Sequence, residues 1–251
     1  MTPTGPAELL ATWEAGLARQ DTSGQARSLL LHQAARPGAA TEALLAMPVG
    51  EREADLFALR RALFGERMQV RVECAACDAP MEFDLDATVF GARGPGREGP
   101  LRVAEGEWVV EFRPPTVADL AAAGRAADAA EARRTLVARC TVSALRDGEL
   151  VPAERLAALL PAEVERRLAE AAREADPAAE VTLTVNCPEC GGATPAELDI
   201  SSYLWTELDT WARDVLLDVH LLATAYGWSE PEILALSPLR RRYYLELCAD
   251  G

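Results

Sequence analysis

The chain has 251 residues, 49% of them hydrophobic and 6% aromatic, enough for one sizeable core or two modest ones and too apolar for a wholly disordered chain. Its 40 acidic and 25 basic residues give a formal charge of −15, and every basic residue is arginine. The absence of lysine excludes a Walker loop of the G-x-x-x-x-G-K-[ST] type and a Schiff-base lysine, and the negative balance opposes nucleic acid, whose binding draws on a basic footprint.

The opening "MTPTGPAELL" has no basic region followed by an apolar run, and no stretch of about 18 apolar residues occurs, so the expectation is a cytoplasmic protein without a membrane span. Thiols stay reduced in that compartment, so paired cysteines there point to a metal before a disulfide.

Periodicity divides the chain into four segments: 1–45, 46–115, 116–180 and 181–251. Residues 6–35 carry apolar groups at helical spacing, with a break from Asp21 to Gly24, and predict an N-terminal helical segment. A further helix runs through "GEREADLFALRRALFG", where Leu56, Leu59 and Leu63 form a stripe and Gly65 is the stop. The period then falls to 2. "MQVRVECAACDAPMEFDL" predicts a strand, a turn holding Cys74 and Cys77, and a second strand.

"GARGPGREGP" contains a G-x-G-x-x-G at Gly94, Gly96 and Gly99. That fingerprint needs a buried strand before it and a helix after it; here a proline lies inside it and "LRVAEGEWVVEF", a hairpin pattern, follows. The expectation is a mobile loop. From "TVAD", with Thr116 as N-cap and Asp119 at the third helical position, residues 117–176 are rich in Ala, Arg and Glu at i,i+4 spacing and predict a helical insertion with a solvated charged face.

"VTLTVNCPECGGATPAELDI" repeats the layout of the first cysteine pair: strand, C-x-x-C at Cys187 and Cys190, strand. Two such knuckles facing each other make a tetrahedron of four thiolates, the closed structural geometry of Zn²⁺. Gly191 suits the tight turn after its pair, and Asp78 stands in the equivalent place. A redox pair belongs at the start of a helix, whereas both pairs here lie between strands; an unmetallated structural role is the other competing reading. A catalytic zinc would need an open position, and four cysteines fill the shell. Cys140 and Cys248 sit in helical patterns as small hydrophobes, and His32 and His220 are helix residues, His220 beside Asp209 and Arg213 at a stripe edge. No G-x-S-x-G motif accompanies them, and the expectation is a non-enzymatic chain.

The last segment is the most regular. From Ser202, Trp205, Leu208, Ala212, Val215, Val219, Leu222 and Tyr226 share one helical face, Gly227 ends the helix, Ser229 and Glu232 open a second as a capping box, and Ser237-Pro238 opens a third. The helices either pack their own core or form a docking surface. In the second case Arg240, Arg241, Arg242, Tyr243 and Tyr244 are the anchors, because arginine and tyrosine are enriched at interfaces.

The order "MPVGEREADLFALRRALFG", "CAAC", "EFRPPTVADL", "CPEC" and "HLLATAYGWSEPEILALSPLRRRYYLEL" resembles the family of the T4-type baseplate hub assembly protein, with relatives in contractile phage tails and extracellular contractile injection systems. The resemblance spans residues 46–86, 108–120 and 181–247. It implies a non-enzymatic structural or assembly role, other baseplate, hub or spike proteins as partners, and a place in a tail-like particle. The fold expected is α+β, mostly helical, with two β-hairpin zinc knuckles forming one four-cysteine site and a C-terminal helical segment. A cytosolic zinc-ribbon adaptor unrelated to phage tails would share every local feature.

Overall fold

A computed structural model describes residues 5–18, 24–90 and 99–249. In chain order the helices and strands are α1 (Pro6–Ala18), α2 (Gln25–Ala35), α3 (Thr41–Ala46), α4 (Val49–Phe64), β1 (Arg67–Glu73), β2 (Pro80–Asp86), β3 (Leu101–Glu105), β4 (Trp108–Phe112), α5 (Val117–Ala123) and α6 (Ala129–Cys140). There follow β5 (Thr141–Arg146), β6 (Glu149–Leu150), α7 (Ala153–Leu159), α8 (Ala162–Ala175), β7 (Thr182–Asn186), β8 (Ala193–Glu197), α9 (Ile200–Tyr226), α10 (Glu230–Leu234) and α11 (Pro238–Ala249). The expected α+β class is what the chain adopts: mostly helix, with small antiparallel sheets. Gly94 and Gly96 of the glycine-rich motif lie outside the described residues, as do Asp21 to Ser23.

The chain forms two compact units, residues 1–34 with 201–251, and residues 35–200. In the first, Trp205 of α9 is held between α1 and α2. A Cβ on Gly16 would come within 2.1 Å of its ring, so only glycine lets α1 approach this closely, and the Arg27 guanidinium lies 4.9 Å from the ring centroid on α2. Trp13 Nε1 donates to Asp209 at 2.8 Å, tying α1 to α9 again. On α9 the expected stripe is buried at Trp205, Leu208, Ala212, Val215 and Leu222. Tyr226 departs from it: the residue is exposed and stacks on Trp228, 4.7 Å between centroids, with Tyr244 edge-on to both. The capping box at Ser229 and Glu232 is present.

In the second unit the sheet runs β3-β4-β5-β6, and α7 and α8 cover it. Trp108, Val110 and Ala144 pack on Leu156, Leu160 and Val164, while Leu101, Val103 and Phe112 meet Leu168, Ala171, Ala172 and Ala175 of α8. Here the structure adds strands to the helical insertion expected over 117–176. β5 and β6 interrupt it and extend the β3–β4 hairpin into a four-stranded sheet. The physical reason is a turn at Asp147-Gly148, both at positive φ (50° and 82°), which reverses the chain where the β-branched Thr141 and Val142 have begun a strand.

A buried ionic centre locks this unit. Asp119 opens α5 as the acidic member of the capping box, its carboxylate accepting from the Thr116 N–H at 2.9 Å and the Thr116 hydroxyl at 2.8 Å. The same side chain, fully buried, pairs with Arg113 and with Arg139 Nε at 2.8 Å. Burial alone would raise the carboxyl's pKa, but Arg113, Thr116 and Arg139 together hold it well below the usual carboxylate range. Beside it the segment leading into α5 bonds to the chain at the start of α4, with Val117 N–H donating to Met47 O and Val49 N–H to Pro115 O.

Because Asp119 is more acidic folded than unfolded, its contribution to stability is complete above the unfolded value of about 3.9 and is lost as pH falls below it. Asp119→Ala, which removes the capping acceptor and leaves two half-exposed guanidiniums to water, should cost about 2 kcal/mol, lowering the melting temperature by roughly 4–8 °C at neutral pH. The variant's loss relative to the unaltered chain should shrink when melting is repeated below pH 4.

Candidate metal centre

Two hairpins carry the four cysteines. β1 and β2 pair from Arg67↔Asp86 to Glu73↔Pro80, and β7 and β8 from Thr182↔Glu197 to Asn186↔Ala193, so each C-x-x-C occupies the loop of a tight antiparallel ribbon. The loops are built alike. Cys74 N–H donates to Ala79 O and Asp78 N–H to Cys74 O; Cys187 N–H donates to Gly192 O and Gly191 N–H to Cys187 O, each at 2.9 Å. The pivot residue is left-handed in both, φ 57° at Asp78 and 71° at Gly191. Glycine adopts that conformation freely, and aspartate is among the few side chains that tolerate it, so the equivalence expected of Asp78 and Gly191 is a backbone equivalence.

The loops bring Cys74, Cys77, Cys187 and Cys190 together, with all four sulfurs within 4.8 Å of one another. Cys74 and Cys190 are 3.7 Å apart, as are Cys77 and Cys187. A disulfide would need about 2.05 Å. Four thiolates at about 2.3 Å from one ion stand about 3.8 Å apart along a tetrahedron's edge, so the observed spacing fits a single tetrahedrally held ion. One thiol from each loop, Cys74 and Cys187, is buried, and one from each, Cys77 and Cys190, faces outward.

The local field acts in opposite directions on the two thiols of the first loop. The Ala76 N–H, 3.4 Å from Cys74 Sγ, together with the Cys77 N–H and the Thr194 hydroxyl, draws the Cys74 thiol down to about 6. At Cys77 the Ala79 N–H acts in the same direction, but the other three sulfurs and burial outweigh it and push that thiol up to about 12. Four anionic sulfurs cannot share this volume without a positive charge among them, and four cysteines with no other ligand could hold one metal ion.

Thr194 was not singled out by sequence reasoning. It lies on β8, is 4% exposed, accepts from the Ala75 N–H at 3.1 Å and reaches Cys74 Sγ at 3.8 Å, so one side chain of the second hairpin completes the loop of the first. Its only sequence signal was its position two residues beyond the glycine pair. Of the other cysteines, Cys140 ends α6 4.0 Å from Asp119, and burial first, then that carboxylate, pushes its thiol up to about 11. It lines a cavity of about 400 Å³ with Phe112, Leu136, Leu160 and Leu168, which Arg113, Arg133 and Glu165 also border.

The five arginines and tyrosines named as docking anchors divide. Arg240, Arg242 and Tyr243 are exposed and Tyr244 is half-buried in the aromatic group. Arg241 is 7% exposed and pairs with Asp218 of α9 at 3.0 Å, because one step around the helix turns it inward. His32 is buried on α2 and His220 exposed on α9, and neither lies with the four cysteines. Among the described residues no helix is long and apolar enough to cross a membrane.

Replacing Thr194 by valine keeps the shape and leaves the Ala75 N–H without its acceptor. Thr194→Val should cost about 1–3 kcal/mol in urea unfolding, where a purely steric role would leave the midpoint unchanged. A family model described as T4 bacteriophage base plate protein matches residues 15–205, a span that includes both cysteine hairpins and the sheet between them. No curated protein and no solved structure matches the chain.

Proposed function

We propose that this chain, which belongs to the T4 bacteriophage base plate protein family, is a non-enzymatic structural or assembly component of a contractile phage-tail-like baseplate, folded around one structural zinc ion. The observation that carries the reading is the family match over residues 15–205. The partners are other baseplate, hub or spike proteins, met in the cytoplasm where such particles are built.

The site supports the non-enzymatic part by its chemistry. Four sulfurs complete the shell of a tetrahedral ion, so no position is left for water or substrate, which a catalytic zinc requires. Zinc fits better than the hard cations, which take oxygen ligands and higher coordination numbers. Cys74, Cys77, Cys187 and Cys190 would hold it, and its work is to join the β1–β2 and β7–β8 hairpins. The outward thiols Cys77 and Cys190 complete the shell from the solvent side, so a chelator can reach the ion.

Two experiments test this. Elemental analysis of the purified chain should give one zinc per chain; Cys187→Ser should release it and lower the melting temperature by 10 °C or more, since metal binding to such sites is folding free energy. Unchanged metal content and melting would defeat the zinc assignment. A tagged chain expressed in its native host should recover baseplate, spike or sheath proteins, and its presence in purified particles would make it a resident subunit. If those proteins are expressed and none is recovered, a zinc-ribbon adaptor is the better description.

A further inference from the structure

Helix α11 has two apolar sides, and only one is used. Inward, Arg241 pairs with Asp218 and Tyr244 packs edge-on against Tyr226 and Trp228. Outward, Leu239, Tyr243 and Leu247 stand at i, i+4 and i+8 and are 67%, 62% and 61% exposed. They form a continuous ridge about 12 Å long. Arg240 and Arg242 lie on its two sides. Arg242 pairs with Glu246 one turn on, while the exposed Arg240 guanidinium forms no ion pair among the described residues.

Building on the baseplate reading, we propose that this ridge is the docking surface for a single amphipathic helix of another tail subunit, one whose apolar stripe is flanked by aspartate or glutamate. Two features select that occupant. The first is size. Two leucines and a tyrosine expose a few hundred Å², a functional patch by the standard of monomeric proteins but well under the roughly 800 Å² per partner that a stable globular dimer buries. A helix laid along two turns of ridge engages that area with anchors at i, i+3 or i+4, and i+7.

The second is charge. Arg241 is turned inward to Asp218 and Arg242 shares its charge with Glu246, so the outward face keeps one positive charge without an ion pair among the described residues, Arg240, on a chain whose formal charge is −15. Guanidinium groups pair bidentately with carboxylates, and like charge would repel a basic partner. Arg240 therefore selects an acidic flank, with Arg242 able to exchange Glu246 for a partner carboxylate, while Leu239, Tyr243 and Leu247 supply the buried anchors.

The test uses the full chain in its native host with the tail proteins expressed. p-Benzoylphenylalanine in place of Tyr243 is photoactivated, and the cross-linked peptide is sequenced by mass spectrometry. The expected product joins Tyr243's position to a helix-patterned segment of one tail protein with acidic residues beside its apolar positions. Leu239→Glu with Leu247→Glu should cut recovery of that same protein by about tenfold or more. Both positions face outward, so the variant should melt as the unaltered chain does and keep its metal. Arg240→Glu with Arg242→Glu should weaken recovery and remove its salt dependence. Equal recovery by the ridge variant, or cross-linking only to a second copy of this chain, overturns the proposal. Recovery of no tail protein even by the unaltered chain overturns the baseplate reading, and this partner with it.

Discussion

Charge confined to a small volume is the constraint on which residues 35–200 depend. Four sulfurs within 4.8 Å can be ionised together only around a cation, and the residues that carry them come from opposite ends of this unit. The chain leaves at Cys77, builds the four-stranded sheet and α5 to α8, and returns at Cys187. Closing so long a loop at one point removes more chain entropy from the unfolded state than closing a short one, so a single ion held there would act on the whole unit. The closure is shared. Asp176 accepts from the Gly50 N–H at 2.9 Å at the start of α4, and the segment before α5 bonds to the chain on either side of Pro48. These contacts bring the ends of the insertion near each other, and the cysteine loops complete the join.

The local half of this arrangement was legible and the long-range half was not. Each C-x-x-C lay between period-2 strands, and Gly191 marked a left-handed turn; both are properties of a few adjacent residues. Asp119 was legible as a helix cap for the same reason. Its burial between Arg113 and Arg139 was not, because Arg139 arrives from the far end of α6 and no local pattern reports that meeting. Thr194 belongs to the same class: a threonine on a short strand is unremarkable until the other hairpin's Ala75 N–H is placed beside it.

The strands β5 and β6 are a different kind of omission, since their signal was present. Asp147-Gly148 is a strong hairpin dipeptide, and Thr141-Val142 before it favours strand. Helix-forming alanine, arginine and glutamate on both sides obscured it. Tertiary context decided the outcome: Trp108 and Val110 need a neighbouring strand, and β5 supplies Arg146 opposite the first and the small Ala144 opposite the second, in the cluster with Leu156 of α7. The four-way division of the chain by periodicity describes segments of sequence, whereas the compact units are assembled from segments distant along it, residues 1–34 with 201–251 and the stretch between.

Arginine in place of lysine throughout gives the ion pairs a common character. A guanidinium is planar, holds its charge when buried and offers a fork of donors, so it can serve inside the protein where an ammonium would lose its proton or its partners. Arg113 and Arg139, themselves half-exposed, reach in to grip the fully buried Asp119 carboxylate, and Arg60, 2% exposed, donates to the Gly65 carbonyl at the end of α4. In α11 three consecutive arginines separate by rotation alone. The middle one turns inward to Asp218 and fixes the helix, which leaves the outer two to flank a ridge of leucine and tyrosine facing water. The pair that orients the helix, together with Tyr244 packed on Tyr226 and Trp228, is thus also what leaves the ridge facing water.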